Sequence, residues 1–218
     1  MSRKGTIVNC RKIALLALLV LTASSRGFAS QPDEWPRGEI VESVACKSDP
    51  QQSYALYLPS HYTPDKKWPM LYAFDPGARG KLPVSLFKDA AEKFGFVVVG
   101  SNNSKNGIQV AAVVQTLWAD THARLSIAEK RIYTTGFSGG SRVAFATALA
   151  YQGAVAGVIA CSASFPGNAS PAPGLAFVVF ATTGTEDFNF PEMKNQEFDL
   201  LRNEAGYKKL VTGLKKGS

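Results

Sequence analysis

The sequence predicts an α/β protein: a doubly wound, mostly parallel sheet with an antiparallel N-terminal edge. Three observations predict it. Short apolar runs alternate with segments whose apolar residues recur at helical spacing. The first two strand-like segments alternate in period two across the Asp49-Pro50 turn, as an antiparallel pair does. Further on, Gly136-Phe137-Ser138-Gly139-Gly140 joins a β-type run to a helix-type run. A Gly-x-Ser-x-Gly in strand–turn–helix context reads as a nucleophile elbow.

The chain opens with a segment outside that fold. Met1–Lys12 carries Arg3, Lys4, Arg11 and Lys12, and Ile13–Leu21 is apolar. Gly27-Phe28-Ala29 places small residues where a signal peptidase cuts. Residues 1–29 therefore read as a signal peptide, 30–37 as a polar leader and 38–218 as the domain, with a secreted or periplasmic destination. The apolar run is short for a bilayer span, so no stable span is expected after cleavage.

Residues 1–29 hold five of the 24 basic residues and none of the 17 acidic ones, so the formal charge falls from +7 to +2 without them. Nucleic acid is not an expected partner. The histidines, His61 and His122, and the cysteines beyond the leader, Cys46 and Cys161, show no metal-ligand spacing. No phosphate-binding glycine motif follows a strand, so neither metal nor cofactor is expected. The sequence sets no oligomeric state.

Each element has a local reason. Gly38–Ala45 and Ser53–Pro59 alternate and form the antiparallel edge. Trp68–Phe74 is nearly all apolar, as a strand buried on both faces is. Leu86, Phe87, Ala90, Ala91 and Phe94 share one helix face, and Phe96–Gly100 is a second buried strand. Val110, Val113, Val114, Leu117, Trp118, Thr121 and Leu125 mark a long amphipathic helix. The elbow strand Arg131–Thr135 and the helix Arg142–Ala150 follow. Val155–Cys161 and Leu175–Ala181 are further buried strands, the second leading toward a helix with Met193, Phe198, Leu201 and Tyr207. In such sheets ligands bind beyond the carboxyl ends of the strands, which selects the loops after residues 74, 100, 135, 161 and 181.

Those loops supply the chemistry. Ser138 is the candidate nucleophile, and a serine hydroxyl needs a base and a group that orients the base. Asp187, in Gly184-Thr185-Glu186-Asp187, follows it in the order expected of an acid, with Glu186 as the alternative; Asp187 would otherwise cap a helix. The N–H of Gly139, with that of Ala78 or Gly77 in the loop after the third strand, would form an oxyanion hole. Arg79 in that loop reads as solvated. Asn102, Asn103 and Asn106 would bind polar groups of a substrate or form turns. His122 falls on a helix that covers the sheet, and His61 enters the third strand at its amino end, so neither is expected to serve Ser138.

The elbow Gly136–Gly140, the loop Asp75-Pro76-Gly77-Ala78 and the loop Gly184–Asn189 together resemble the α/β-hydrolases. The resemblance is to the secreted feruloyl esterase, polyhydroxybutyrate depolymerase and dienelactone hydrolase branch, over residues 38–207. It implies a serine esterase with Ser138 as nucleophile, Asp187 as acid and Gly139 with Ala78 as oxyanion donors, acting on a small or polymeric ester. Members of that branch continue with a last strand, a histidine-bearing loop and usually a closing helix. Here Leu210–Leu214 would be that strand, and no histidine follows residue 122. The expectation is a C-terminally incomplete hydrolase with weak or no turnover, or else a non-catalytic ligand-binding protein on the same scaffold.

Overall fold

The computed structural model of this protein describes residues 34–166 and 176–194. The signal-peptide reading of 1–29, the last strand at 210–214 and most of the helix expected after Met193 lie outside them.

Seven strands form one sheet: β1 (Ile40–Ala45), β2 (Ser53–Tyr57), β3 (Trp68–Phe74), β4 (Val97–Ser101), β5 (Ile127–Phe137), β6 (Val155–Cys161) and β7 (Val178–Thr182). Their spatial order is β1-β2-β4-β3-β5-β6-β7. The β1–β2 and β2–β4 pairs are antiparallel and every later pair is parallel. The expected antiparallel edge on a parallel sheet is therefore present.

Among the described residues, helices α1 (Lys81–Phe94), α2 (Val110–Arg124) and α3 (Gly139–Ala150) cover the sheet. Side chains alternate across a strand, so successive residues of one strand enter different cores. Tyr54, Leu56, Tyr72, Phe74 and Val99 join Val114 and Leu117 of α2 and Val143 and Phe145 of α3. Ala55, Tyr57, Leu71 and Val98 join Val84 and Ala91 of α1 in the other cluster. Pro83 sits in the first turn of α1, where its missing N–H costs no helical bond.

Buried polar groups tie the antiparallel edge to the helices. Asp120 of α2 accepts from Lys47 N–H at 2.7 Å, Tyr54 Oη at 2.9 Å and Arg124 at 2.8 Å. Burial and the Asp120 charge push the Tyr54 phenol up from its ordinary value. Burial first, then the same carboxylate, raises the Cys46 thiol to about 11. On the other face Glu92 of α1 accepts from the Ser60 hydroxyl, from Tyr57 Oη at 2.5 Å and from Ser60 N–H at 2.9 Å. These bonds hold its carboxyl down at about 2.

Three sequence expectations need correction here. β5 begins at Ile127 rather than Arg131, and its outward Glu129, Lys130 and Arg131 hide the early part of the strand from an apolar count. α3 begins at Gly139, because the Gly139-Gly140 pair opens the helix rather than lengthening the turn. β7 is not buried on both faces: Val178 and Phe180 are 59% and 43% exposed. An apolar strand sequence does not state whether anything covers it. An open apolar pocket of about 260 Å³ lies on the α1 face, lined by Leu71, Phe87, Phe94, Phe96, Tyr133 and Ile159. It contains none of the candidate catalytic residues.

Candidate active site

β5 ends at Phe137, Ser138 makes the turn and α3 starts at Gly139. Ser138 has φ 52° and ψ −121°, a left-handed conformation that residues with a Cβ rarely adopt. Neighbouring bonds enforce it. Ser138 N–H donates to Cys161 O at the end of β6 (2.8 Å), and Ser138 O accepts Ser141 N–H at 2.9 Å. Two glycines allow the sharp reversal. A Cβ on Gly136 would lie 2.2 Å from the Gly140 carbonyl, and one on Gly140 would lie 2.1 Å from Phe74 O. Helix and strands thus meet at backbone distance, with the half-buried serine at the junction. Ser141 Oγ anchors the helix start by donating to Ala163 O at 2.7 Å.

The N–H of Gly139 finds no acceptor among the described residues. It is the first N–H of a helix, where the partial positive charge of the helix dipole is concentrated. Gly139 is therefore available as an anion donor.

The loop after β3 is wound tightly around Asp75, which is 4% exposed. Its Oδ1 accepts Gly77 N–H at 2.8 Å and Arg79 Nε at 2.9 Å, while Oδ2 accepts a second guanidinium nitrogen of Arg79 at 2.9 Å. Burial alone would raise this carboxyl, but the Arg79 guanidinium and the backbone donors outweigh it and hold it below the ordinary aspartate value. Arg79 is solvent-exposed, as expected, and its guanidinium also clamps the loop by holding both oxygens of Asp75. Ala78 sits at φ 60° and donates its N–H to Asp75 O at 3.1 Å. The N–H groups of Gly77 and Ala78 therefore already have acceptors within the turn. Neither is a free oxyanion donor in this conformation.

Asn102 and Asn103 take the structural one of their two expected roles. Asn102 Nδ2 donates to Glu42 O and Ser53 Oγ, both at 3.1 Å. Asn103 Oδ1 accepts Ser53 N–H at 2.8 Å, and its Nδ2 donates to Gln51 O at 3.1 Å. Their carboxamides stitch the loop after β4 to β1 and β2, which leaves little capacity for a substrate. Asn106, three residues on, is different. Its backbone N–H donates to Pro76 O at 3.0 Å, and Lys105 bridges Gly77. Its side chain reaches the elbow: an added Cβ on Gly139 would lie 1.7 Å from Asn106 Oδ1.

The loop after β7 is held to the end of β6. Asn189, 8% exposed, donates Nδ2 to Ser162 O at 2.7 Å, and Ser162 itself has φ 59°. Ser162 N–H donates to Thr182 O at 2.9 Å. Asp187 is half-buried and Glu186 exposed. Asp187 Oδ1 accepts Asn189 N–H at 2.8 Å, the cap-like bond weighed against a catalytic role. Its second oxygen has no hydrogen-bond donor among the described residues. The sequence did not indicate Asn189, because a bond between residues 27 apart leaves no local signal.

Both histidines have structural partners. His122 Nδ1 bonds Trp118 O at 2.8 Å, its ring stacks on Trp118 at 4.3 Å, and Nε2 lies 3.7 Å from Glu129. His61 tilts against Trp68 at 5.2 Å, beside Glu92 at 3.9 Å. Cys46 and Cys161 are both free thiols. No cluster of metal-ligating side chains occurs among the described residues, and no helix among them is long and apolar enough to cross a membrane.

Residues 96–201 match the phospholipase/carboxylesterase family. The fold is that of an α/β-hydrolase. Among solved structures, the feruloyl esterase module from Clostridium thermocellum complexed with sinapinate superimposes with TM-score 0.58 at 20% identity, over 78% of this chain and 77% of that one. An S-formylglutathione hydrolase from Staphylococcus aureus gives 0.61 at 14% identity, over 78% and 87%. A fluorophosphonate-binding serine hydrolase from the same organism gives 0.58 at 13% identity, over 77% and 87%. Curated protein sequences give no match. At these identities the likeness in structure is one of α/β-hydrolase fold.

Proposed function

We propose that this protein is a serine hydrolase of the carboxylic-ester type, with Ser138 as its nucleophile. The observation that carries this is the left-handed backbone of Ser138, a strained conformation held between β5 and α3 beside the N–H of Gly139, which is unpaired among the described residues. Strain of this kind costs about 1–3 kcal/mol and persists where the surrounding structure imposes it, commonly at functional sites. The matched family, one of phospholipases and carboxylesterases, indicates chemistry of the same type.

In this reading Ser138 Oγ attacks the acyl carbon and gives its proton to solvent water as the Oγ–C bond forms, and water returns a proton to the departing alcohol. The carbonyl oxygen gains negative charge and Gly139 N–H stabilises it. The bond to the alcohol then breaks, the alcohol leaves protonated, and water releases the acid from the acyl-enzyme. Asp187 is the candidate acid that would orient a base. Neither His61 nor His122 is expected to serve as that base: His122 stacks on Trp118 with Nδ1 on the Trp118 carbonyl, and His61 lies against Trp68 beside Glu92. We therefore expect slow turnover by residues 1–218 alone. With residues 1–29 read as a signal peptide, the enzyme would be secreted or periplasmic and would meet small or polymeric esters.

The engagement of His122 by Trp118 also favours a second reading, in which the scaffold binds an acyl or anionic group without consuming it. Turnover of p-nitrophenyl acetate by purified protein and by Ser138→Ala separates the two. The enzyme reading expects slow hydrolysis that the substitution abolishes. Equal rates in both proteins would refute it, and ligand retained without hydrolysis would favour binding.

A further inference from the structure

An oxyanion hole needs more than one donor, because the developing charge is spread over an oxygen that can accept two or three hydrogen bonds. Here the first is Gly139 N–H. The loop after β3, where a second would be sought, has its Gly77, Ala78 and Arg79 N–H groups bonded to Asp75. What lies against Gly139 is the carboxamide of Asn106, with Oδ1 1.7 Å and Nδ2 3.0 Å from where a Cβ would stand.

That carboxamide is unusual among its neighbours. Those of Asn102 and Asn103 are committed to backbone and hydroxyl partners, but that of Asn106 makes no hydrogen bond to another described residue. It is exposed, yet its position is fixed at both ends. The backbone is pinned by Asn106 N–H to Pro76 O and by the Lys105–Gly77 bridge, and the preceding Ser104 is buried with its N–H on Ser101 Oγ at 3.0 Å. Gly107, at φ 81°, turns the chain away immediately afterwards. A carboxamide on a pinned backbone, unpaired among the described residues, thus lies against Gly139, whose helix-start N–H is also unpaired among them. A side chain at 139 would have to displace it.

We propose that Asn106 supplies the side-chain donor of the oxyanion site, its Nδ2–H joining Gly139 N–H on the carbonyl oxygen of a bound ester or on the carboxylate of the released acid. Rotation of the carboxamide about its last torsion presents Nδ2 in place of Oδ1 without moving the loop. The proposal rests on Ser138 being the nucleophile in the hydrolytic case, but the carboxylate case tests it without any serine chemistry.

Two measurements decide it. In the first, the second-order rate of Ser138 labelling by a fluorophosphonate is compared in the unsubstituted protein, Asn106→Ala and Asn106→Asp. Loss of one oxyanion donor slows reaction about 10²-fold, so Asn106→Ala is expected to label about 10²-fold more slowly. Asn106→Asp, which offers only acceptors above its pKa, is expected to label more slowly still and to recover toward the alanine rate as pH falls. Equal labelling of all three overturns the proposal. In the second, the Gly139 amide resonance is followed while butanoate is added to the Ser138→Ala protein, with and without Asn106→Ala. A saturable shift lost with Asn106→Ala supports the proposal even if Ser138 never labels, in which case the hydrolase reading alone fails. Labelling of Ser138 that Asn106 does not influence leaves the hydrolase reading intact and sinks this one. So does a Gly139 amide indifferent to butanoate or to Asn106. Melting temperatures unchanged across the variants separate the effect from loss of fold.

Discussion

If Ser138 is strained by the fold, removing its Cβ should stabilise the protein. Ser138→Gly and Ser138→Ala isolate that effect. The serine hydroxyl has no hydrogen-bond partner among the described residues, so Ser138→Ala should change stability little. It keeps the Cβ, and hence the cost of φ 52°. Ser138→Gly removes that cost, about 1–3 kcal/mol for such a region. Against it stands the greater freedom of glycine in the unfolded chain, about 0.4–1 kcal/mol. The net expectation is that Ser138→Gly exceeds Ser138→Ala by about 1 kcal/mol, or about 2–4 °C in Tm for a domain of this size. Urea unfolding of both variants at fixed pH measures it, provided their m-values agree. A glycine variant equal to or less stable than the alanine variant would refute the claim that the turn is strained at this residue.

Three other outcomes follow from the same geometry. Glu92 is held at about 2 in the folded state against an ordinary 4.5, so its contribution is present above about pH 4.5 and is lost as pH falls toward 2. Thermal unfolding from pH 6 to 2 should therefore show a steeper acid loss in the unsubstituted protein than in Glu92→Gln. Asp120→Ala removes the acceptor shared by the buried Tyr54 hydroxyl and the part-buried Lys47 N–H and Arg124 guanidinium, and should cost about 3 kcal/mol in urea unfolding. Arg79→Ala removes the clamp on Asp75, letting that carboxyl rise toward its ordinary value. Fluorophosphonate labelling should slow severalfold with the loss growing at acid pH, and a rate indifferent to the substitution would show that the β3 loop needs no clamp.

The sequence was most legible where burial on both faces leaves no choice of residue. β3 and β6 have the bounds their apolar runs suggest. The elbow was legible because Gly136 and Gly140 are required by backbone contacts of about 2 Å, which only glycine tolerates. β7 was misread because its outward Val178 and Phe180 are as apolar as its inward Val179. The loops were read least well. Asn102, Asn103 and Asn106 are one residue type in one loop, and only the arrangement of Glu42, Gln51, Ser53 and Gly139 around them separates stitching residues from the one at the elbow. Gly77 and Ala78 were judged by their place after β3. What they donate to is decided by Asp75, whose side chain folds back over its own turn.

The central claim is that the fold presents Ser138 as a nucleophile. Intact-mass analysis of the purified protein after exposure to a fluorophosphonate, followed by peptide mapping, tests it most directly. The account predicts one adduct, carried by the peptide containing Ser138 and absent from Ser138→Ala. No adduct after prolonged exposure, or an adduct on another residue that survives Ser138→Ala, would contradict it.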